Sequence, residues 1–72
     1  LWAYSAQSGQ LQVNSNEIIQ QVKVYDLAGR LVAQQALDLY THSMTLTVPT
    51  GMCIVEATMR DNTKRRVQAL VR

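Results

Sequence analysis

The chain has no phenylalanine and only one each of cysteine, histidine, proline and tryptophan in 72 residues. Each scarcity removes a class of function. With Cys53 as the only cysteine, no internal disulfide can form, so this is not a disulfide-stapled mini-scaffold. A lone His42 beside a lone Cys53 cannot build a zinc site of ordinary type. No apolar run approaches the roughly 18 residues that a spanning helix needs. No charged-then-apolar leader opens the chain, so no signal peptide is expected in this piece, which starts at Leu1-Trp2 as though excised from a longer protein. The few glycines form no phosphate-cradling loop, and there is no nucleophile elbow. Asp26, Asp38 and Asp61 stand at separate turns or loops without the Asp/Asn ladder of a calcium loop. No cofactor and no metal are expected, and enzyme is the least favoured class.

What the chain does have is alternation. Met44, Leu46 and Val48 alternate with Thr45 and Thr47. Cys53, Val55, Ala57 and Met59 alternate with Ile54, Glu56, Thr58 and Arg60, and Val67, Ala69 and Val71 with Arg66, Gln68 and Arg72. Leu11 and Val13 flank Gln12, and Val22 and Val24 flank Lys23. A period of two means half-buried strands with one face in a core. Turn residues break these runs at short intervals: Ser8-Gly9, Asn14-Ser15-Asn16, Ala28-Gly29, Pro49-Thr50-Gly51 and Asp61-Asn62-Thr63. Seven strands are therefore predicted, at about 2–6, 10–14, 19–26, 30–36, 43–48, 52–60 and 64–71. Helix propensity alone would also allow a helix over 31–37. A strand is preferred there because Gly29 sits two residues earlier in a hairpin position. The pattern predicts a single all-β domain, a small sandwich or barrel of short, mostly antiparallel strands. At this length only about 60% of the unfolded surface is buried, so the stability margin is thin.

The formal charge is only +2, but Lys64, Arg65, Arg66 and Arg72 supply four of the seven basic residues. They make either a solvated edge strand kept soluble by charge or a contact surface for an acidic partner. Nucleic acid is disfavoured, because no aromatic residue is interleaved with them for base stacking. Cys53 falls on the apolar face of its strand and is expected in the core rather than as a reactive thiol. His42 falls in a polar segment, Tyr40-Thr41-His42-Ser43, read as a solvated loop. Trp2 and Tyr4 share one side of the first strand, where core or sheet-edge packing competes with a sugar-stacking platform. Tyr25 and Tyr40 carry no specific signal.

The order of these features is more specific than any one of them. Leu11-Gln12-Val13 is followed by Val22-Lys23-Val24-Tyr25-Asp26-Leu27-Ala28-Gly29-Arg30-Leu31-Val32. Leu46-Thr47-Val48 then leads into Pro49-Thr50-Gly51-Met52-Cys53-Ile54-Val55, and Asp61-Asn62-Thr63 turns into Lys64-Arg65-Arg66-Val67 before a basic end at Arg72. Across essentially all 72 residues this resembles the type A C-terminal sorting domain of the type IX (Por) secretion system of Bacteroidota. The chain departs from that pattern at Cys53, where the family commonly has an aromatic, and at Asp61-Asn62-Thr63, where it commonly has glycine.

The resemblance implies an immunoglobulin-like sandwich of about seven strands, the C-terminal domain of a larger protein whose cargo domain and linker are absent here. It implies a protein that passes the periplasm and reaches the cell surface or medium. The outer-membrane translocon would read the folded domain, and a sortase-type cysteine protease often removes it. Gly29, Pro49, Gly51, Lys64 and Val67 match the family's recurrent positions. Gly29, Pro49 and Gly51 are expected to be architectural. Lys64, Arg66 and Arg72 are expected to make contact, because they alternate outward on the last strand and an edge strand can add to a partner's sheet. The same edge could pair two copies of the domain. Two other functions share the fold. One is an immunoglobulin-like or fibronectin-like binding module, which calls for exposed aromatics on one face. The other is an accessory domain that stabilises a secreted enzyme.

Overall fold

The computed structural model describes residues 1–36 and 41–72. Five strands form one antiparallel sheet: β1 (Trp2–Gln7), β2 (Gln10–Asp26), β3 (Leu31–Thr47), β4 (Gly51–Met59) and β5 (Lys64–Val71). Among the described residues no helix is long and apolar enough to cross a membrane. Asp38 and Tyr40 lie outside the described residues.

The sheet is built around β2, 17 residues long. Its first half, 10–14, lies between β1 and residues 43–47 of β3. Its second half, 19–26, lies between the start of β3 and β4, with β5 beyond β4. The first leaf is thus β1, the start of β2 and the end of β3. The second is the start of β3, the end of β2, β4 and β5. The seven expected segments are all present in this pairing, but as five strands, because β2 and β3 each serve both leaves. Strands that change sheet through a bend or bulge are how sandwiches turn corners.

The expected turn at Asn14-Ser15-Asn16 is therefore a strand corner instead. Ser15 is buried, and its Oγ accepts a bond from the Glu17 N–H at 3.0 Å. That local bond serves a bent backbone while the strand continues. The inward set on β2 runs Leu11, Val13, Ser15 and Ile19, then Val22 and Val24. The change from odd to even positions needs one extra residue. It comes at a bulge, where Ile19 pairs with Met59 but Gln21 pairs with Thr58. The sequence 30–36 enters the sheet as strand from Leu31, so the helical alternative for this run is not taken up.

Both leaves drain into one core. Leu11, Val13, Ile19, Val22, Val24, Met44, Leu46, Val48, Cys53, Val55, Ala57, Met59, Ala69 and Val71 form a single buried cluster, with Val67 packed at its margin. Five of these are on β2 and have no exposed surface at all. Each such aliphatic side chain contributes about 1.5–3 kcal/mol over exposure.

The turns gather at one pole. Asp26 N–H donates to Arg30 O at 2.9 Å and Gly29 N–H to Asp26 O at 3.0 Å, closing the β2–β3 hairpin. Pro49 and Thr50 carry β3 into β4, where Gly51 opposes Val71. At the same pole Val48 N–H donates to Gly9 O at 3.0 Å and Gly9 N–H to Arg72 O at 2.7 Å. The opposite pole holds the strand corner and the β4–β5 turn, in which Asn62 takes φ +69°. Asparagine there does the work of the glycine usual in such turns.

Gly29 has φ +88°, and a Cβ placed on it would meet nothing within 4 Å. Its role is conformational rather than steric. Gly29→Val should destabilise by about 1–3 kcal/mol and Gly29→Asn by much less, since asparagine tolerates this region. Urea unfolding checks this as a lowered midpoint with unchanged slope for the valine variant.

Candidate recognition surface

The outer face of the second leaf follows from the register. Tyr25 pairs with Leu31 on one side and Ile54 on the other, and Met52 pairs with Leu70. These residues alternate with the core set, so their side chains point away from it. Leu31, Met52 and Leu70 are exposed, as is Leu27 in the adjoining hairpin, and Tyr25 and Ile54 are half-buried. An apolar patch therefore covers the outer face at the Gly29–Gly51 pole. Within it lies a depression of about 320 Å³, lined by Tyr25, Gly29, Ile54 and Arg66. Two residues singled out from sequence, Gly29 and Arg66, thus meet at one place despite their separation along the chain.

Toward the other pole the same face turns charged. Lys23, Glu56 and Arg66 form one row across β2, β4 and β5, and Gln21, Thr58 and Lys64 the next. Glu56 is only 6% exposed although it faces outward. Arg66 covers it, donating from Nε at 2.8 Å to a carboxylate oxygen that also lies 2.7 Å from Nη2. Lys23 stands in register on its other side. A carboxylate so deeply covered needs its Arg66 partner.

The three expected contact residues consequently differ. Lys64 and Arg72 are exposed, and neither forms a side-chain ion pair among the described residues. Arg66 is exposed too but is committed to Glu56. Lys64 and Arg72 mark the two ends of β5, about 27 Å apart at strand spacing. The Arg72 backbone is tied down, with its N–H donating to Ser5 Oγ at 3.1 Å. Arg65 is bound to Glu17 at 3.0 Å. Gly29, Pro49 and Gly51 all lie at the pole that borders the apolar patch, in the turns that set its shape.

Other candidate groups fall elsewhere. Cys53 is 4% exposed on the inner face, and burial pushes its thiol pKa up, away from reactivity. His42 lies on β3 rather than in a loop, with an exposed side chain. It lines a depression of about 620 Å³ at the corner with Asn16, Glu17, Ile18, Arg60 and Asp61. No group of three or more His, Cys, Asp or Glu side chains converges on a metal position among the described residues. Trp2 and Tyr4 are exposed on the outer face of edge strand β1, so of the expected core or sheet-edge positions they take the sheet edge.

Sequence reasoning overlooked Glu56 and the apolar half of the patch. The signal was present: Met52, Ile54 and Leu70 are apolar at positions that the alternation assigns to solvent.

Compared with known proteins, the chain matches no protein-family model and no curated protein.

Removing the guanidinium exposes the dependence of Glu56 on it. Arg66→Ala should destabilise by about 1–3 kcal/mol, and adding Glu56→Gln should recover part of that loss. A double-mutant cycle by urea unfolding measures the coupling.

Two turn carboxylates contribute to acid stability. The Arg30 backbone N–H foremost, then its guanidinium, holds Asp26 below its ordinary value of 3.8. The Thr63 hydroxyl, then its N–H, does the same for Asp61. Both favour the folded state when ionised. That stabilisation is fully present above 3.8, the unfolded value, and is lost as pH falls through the lower folded values. Melting temperature against pH should show an acid limb that flattens in the Asp26→Asn, Asp61→Asn double variant.

Proposed function

We propose that this domain works by being recognised, as a C-terminal sorting signal of the type IX secretion kind. The observation that carries this reading is the outer face of the second leaf. It presents an exposed apolar patch with a shallow depression, bordered by Lys23, Arg66 and Lys64. Contiguous exposed apolar side chains rimmed by polar groups mark interaction sites. The rim is basic apart from the covered Glu56 and from Asp26, which is paired with Arg30, and this suits a partner with acidic groups around an apolar core.

The ordered motifs described above support the more specific reading. On it the partner is the outer-membrane translocon, the attached cargo lies N-terminal to this domain, and a sortase-type protease removes the domain afterwards. The route runs through the periplasm to the cell surface or medium. Gly29, Pro49 and Gly51 shape the face, and Lys64 and Arg72 are the charged contacts. Edge strands β3 and β5 also give two copies a route to self-association.

The test is an export assay with a signal peptide, a reporter and this domain in that order, in a host with a working type IX system. Reporter should reach the surface or medium in that host and stay periplasmic in a translocon-deficient strain. Tyr25→Ala and the pair Lys64→Glu, Arg72→Glu should each cut export severalfold in domains that remain folded. Arg66 is unsuited to this test, because reversing it breaks the Glu56 pair. A folded domain whose reporter stays periplasmic in both strains would sink the proposal and favour a binding module or accessory domain.

A further inference from the structure

The outer face of the first leaf has a different chemistry. Its rows are Trp2 and Tyr4 on β1, Gln10, Gln12 and Asn14 on β2, and Thr47, Thr45 and Ser43 on β3. None of these residues is charged. Trp2 and Tyr4 are 47% and 49% exposed, an unusual state for two large aromatics in so small a domain. They stand two residues apart on one strand, about 7 Å, and the polar rows lie about 5 and 10 Å to the side.

The face is also held in place. The Asn14 amide lies 2.8 Å from Gln12 Nε2 and 3.2 Å from Trp2 Nε1, so in one orientation its oxygen accepts from Gln12 and in the other from the indole. Thr45 Oγ1 donates to Gln12 Oε1 at 2.7 Å. In the second orientation the indole is tied to Asn14 and Thr45 to Gln12, so side chains join β1 to β2 and β2 to β3 before any ligand arrives, which lowers the ordering cost of binding.

We infer that this face binds a neutral polysaccharide chain, with Trp2 and Tyr4 as the stacking surface and the amides and hydroxyls of β2 and β3 as hydrogen-bond partners. The rows themselves carry no charge, and the charged side chain that borders them is Arg72, which lines a depression of about 450 Å³ with Tyr4 at one end; an ionic occupant laid along the rows would lose its hydration with little opposite charge in return. The polar rows argue against a purely apolar occupant, which would leave amides and hydroxyls without partners. A sugar chain satisfies both conditions. Its ring faces present C–H groups to aromatic rings, and its hydroxyls both donate and accept. The spacing of the two aromatics is on the scale of successive sugar rings. This inference does not depend on the sorting role, whose apolar patch is on the other leaf, though Arg72 borders this face beside Tyr4.

Trp2 is the chain's only tryptophan, so its emission reports on this face alone. The 72-residue chain is titrated with neutral glucan, mannan and galactan oligosaccharides, and with oligogalacturonate as the charged control. At least one neutral series should give a saturable change in emission, with oligogalacturonate much weaker. By calorimetry, Trp2→Ala and Tyr4→Ala should each weaken binding about tenfold with the melting temperature unchanged, and Lys64→Glu should leave binding unaltered. The inference is overturned if no neutral series gives a saturable change, or if oligogalacturonate binds as well. It is equally overturned if emission shifts with protein concentration in the absence of sugar, which would make the face a protein contact.

Discussion

The backbone ladder of β2 is the constraint on which the rest depends. Every other strand pairs with β2 directly, except β5, which pairs with β4. The strand belongs to both leaves, so bending it at 15–18 brings the two inner faces together, and its five fully buried aliphatics sit at the junction. In so small a domain there is no second core to fall back on. The bulge at Ile19–Gln21 is accordingly a functional feature of the fold. It resets the phase of alternation so that Val22 and Val24 continue the core that Leu11 and Val13 begin.

With the inner faces spent on stability, the outer faces are free to differ. One carries an apolar patch and a basic border organised around the covered Glu56. The other carries two exposed aromatics beside rows of uncharged amides and hydroxyls. The turns at the Gly9, Gly29 and Gly51 pole hold both faces in register, since Gly9 bonds to Val48 of the first leaf and Arg72 of the second. On the proposed reading, recognition is a matter of the surface chemistry these two faces present.

Much of the frame was legible in the sequence because a period of two is a direct statement about which side of a strand meets the core. The alternating sets around Val13, Val24, Leu46, Val55 and Ala69 are buried as that rule requires, except Val67, which is half-buried at the core's margin. The turn chemistry was legible for the same kind of reason: Gly29 and Asn62 take positive φ in the hairpins, and Gly51 takes it where the chain crosses from β3 to β4. Asn14-Ser15-Asn16 misled, because short polar side chains serve a strand corner and a turn equally well. Trp2 and Tyr4 could not be placed from periodicity, which says that two residues share a side but not which side is covered. Arg66 was legible as outward-facing. Its engagement with Glu56 was not, because that depends on β4 and β5 lying side by side in a register that puts residues 56 and 66 opposite each other.

The most direct test of this architecture is native-state amide hydrogen exchange along β2. One strand tying two leaves together predicts that the protected amides of 10–14 and 19–26 exchange with the same free energy, equal to that of global unfolding. Separate, lower free energies for the two halves would contradict it, showing that the leaves open independently and that 15–18 is a hinge between them.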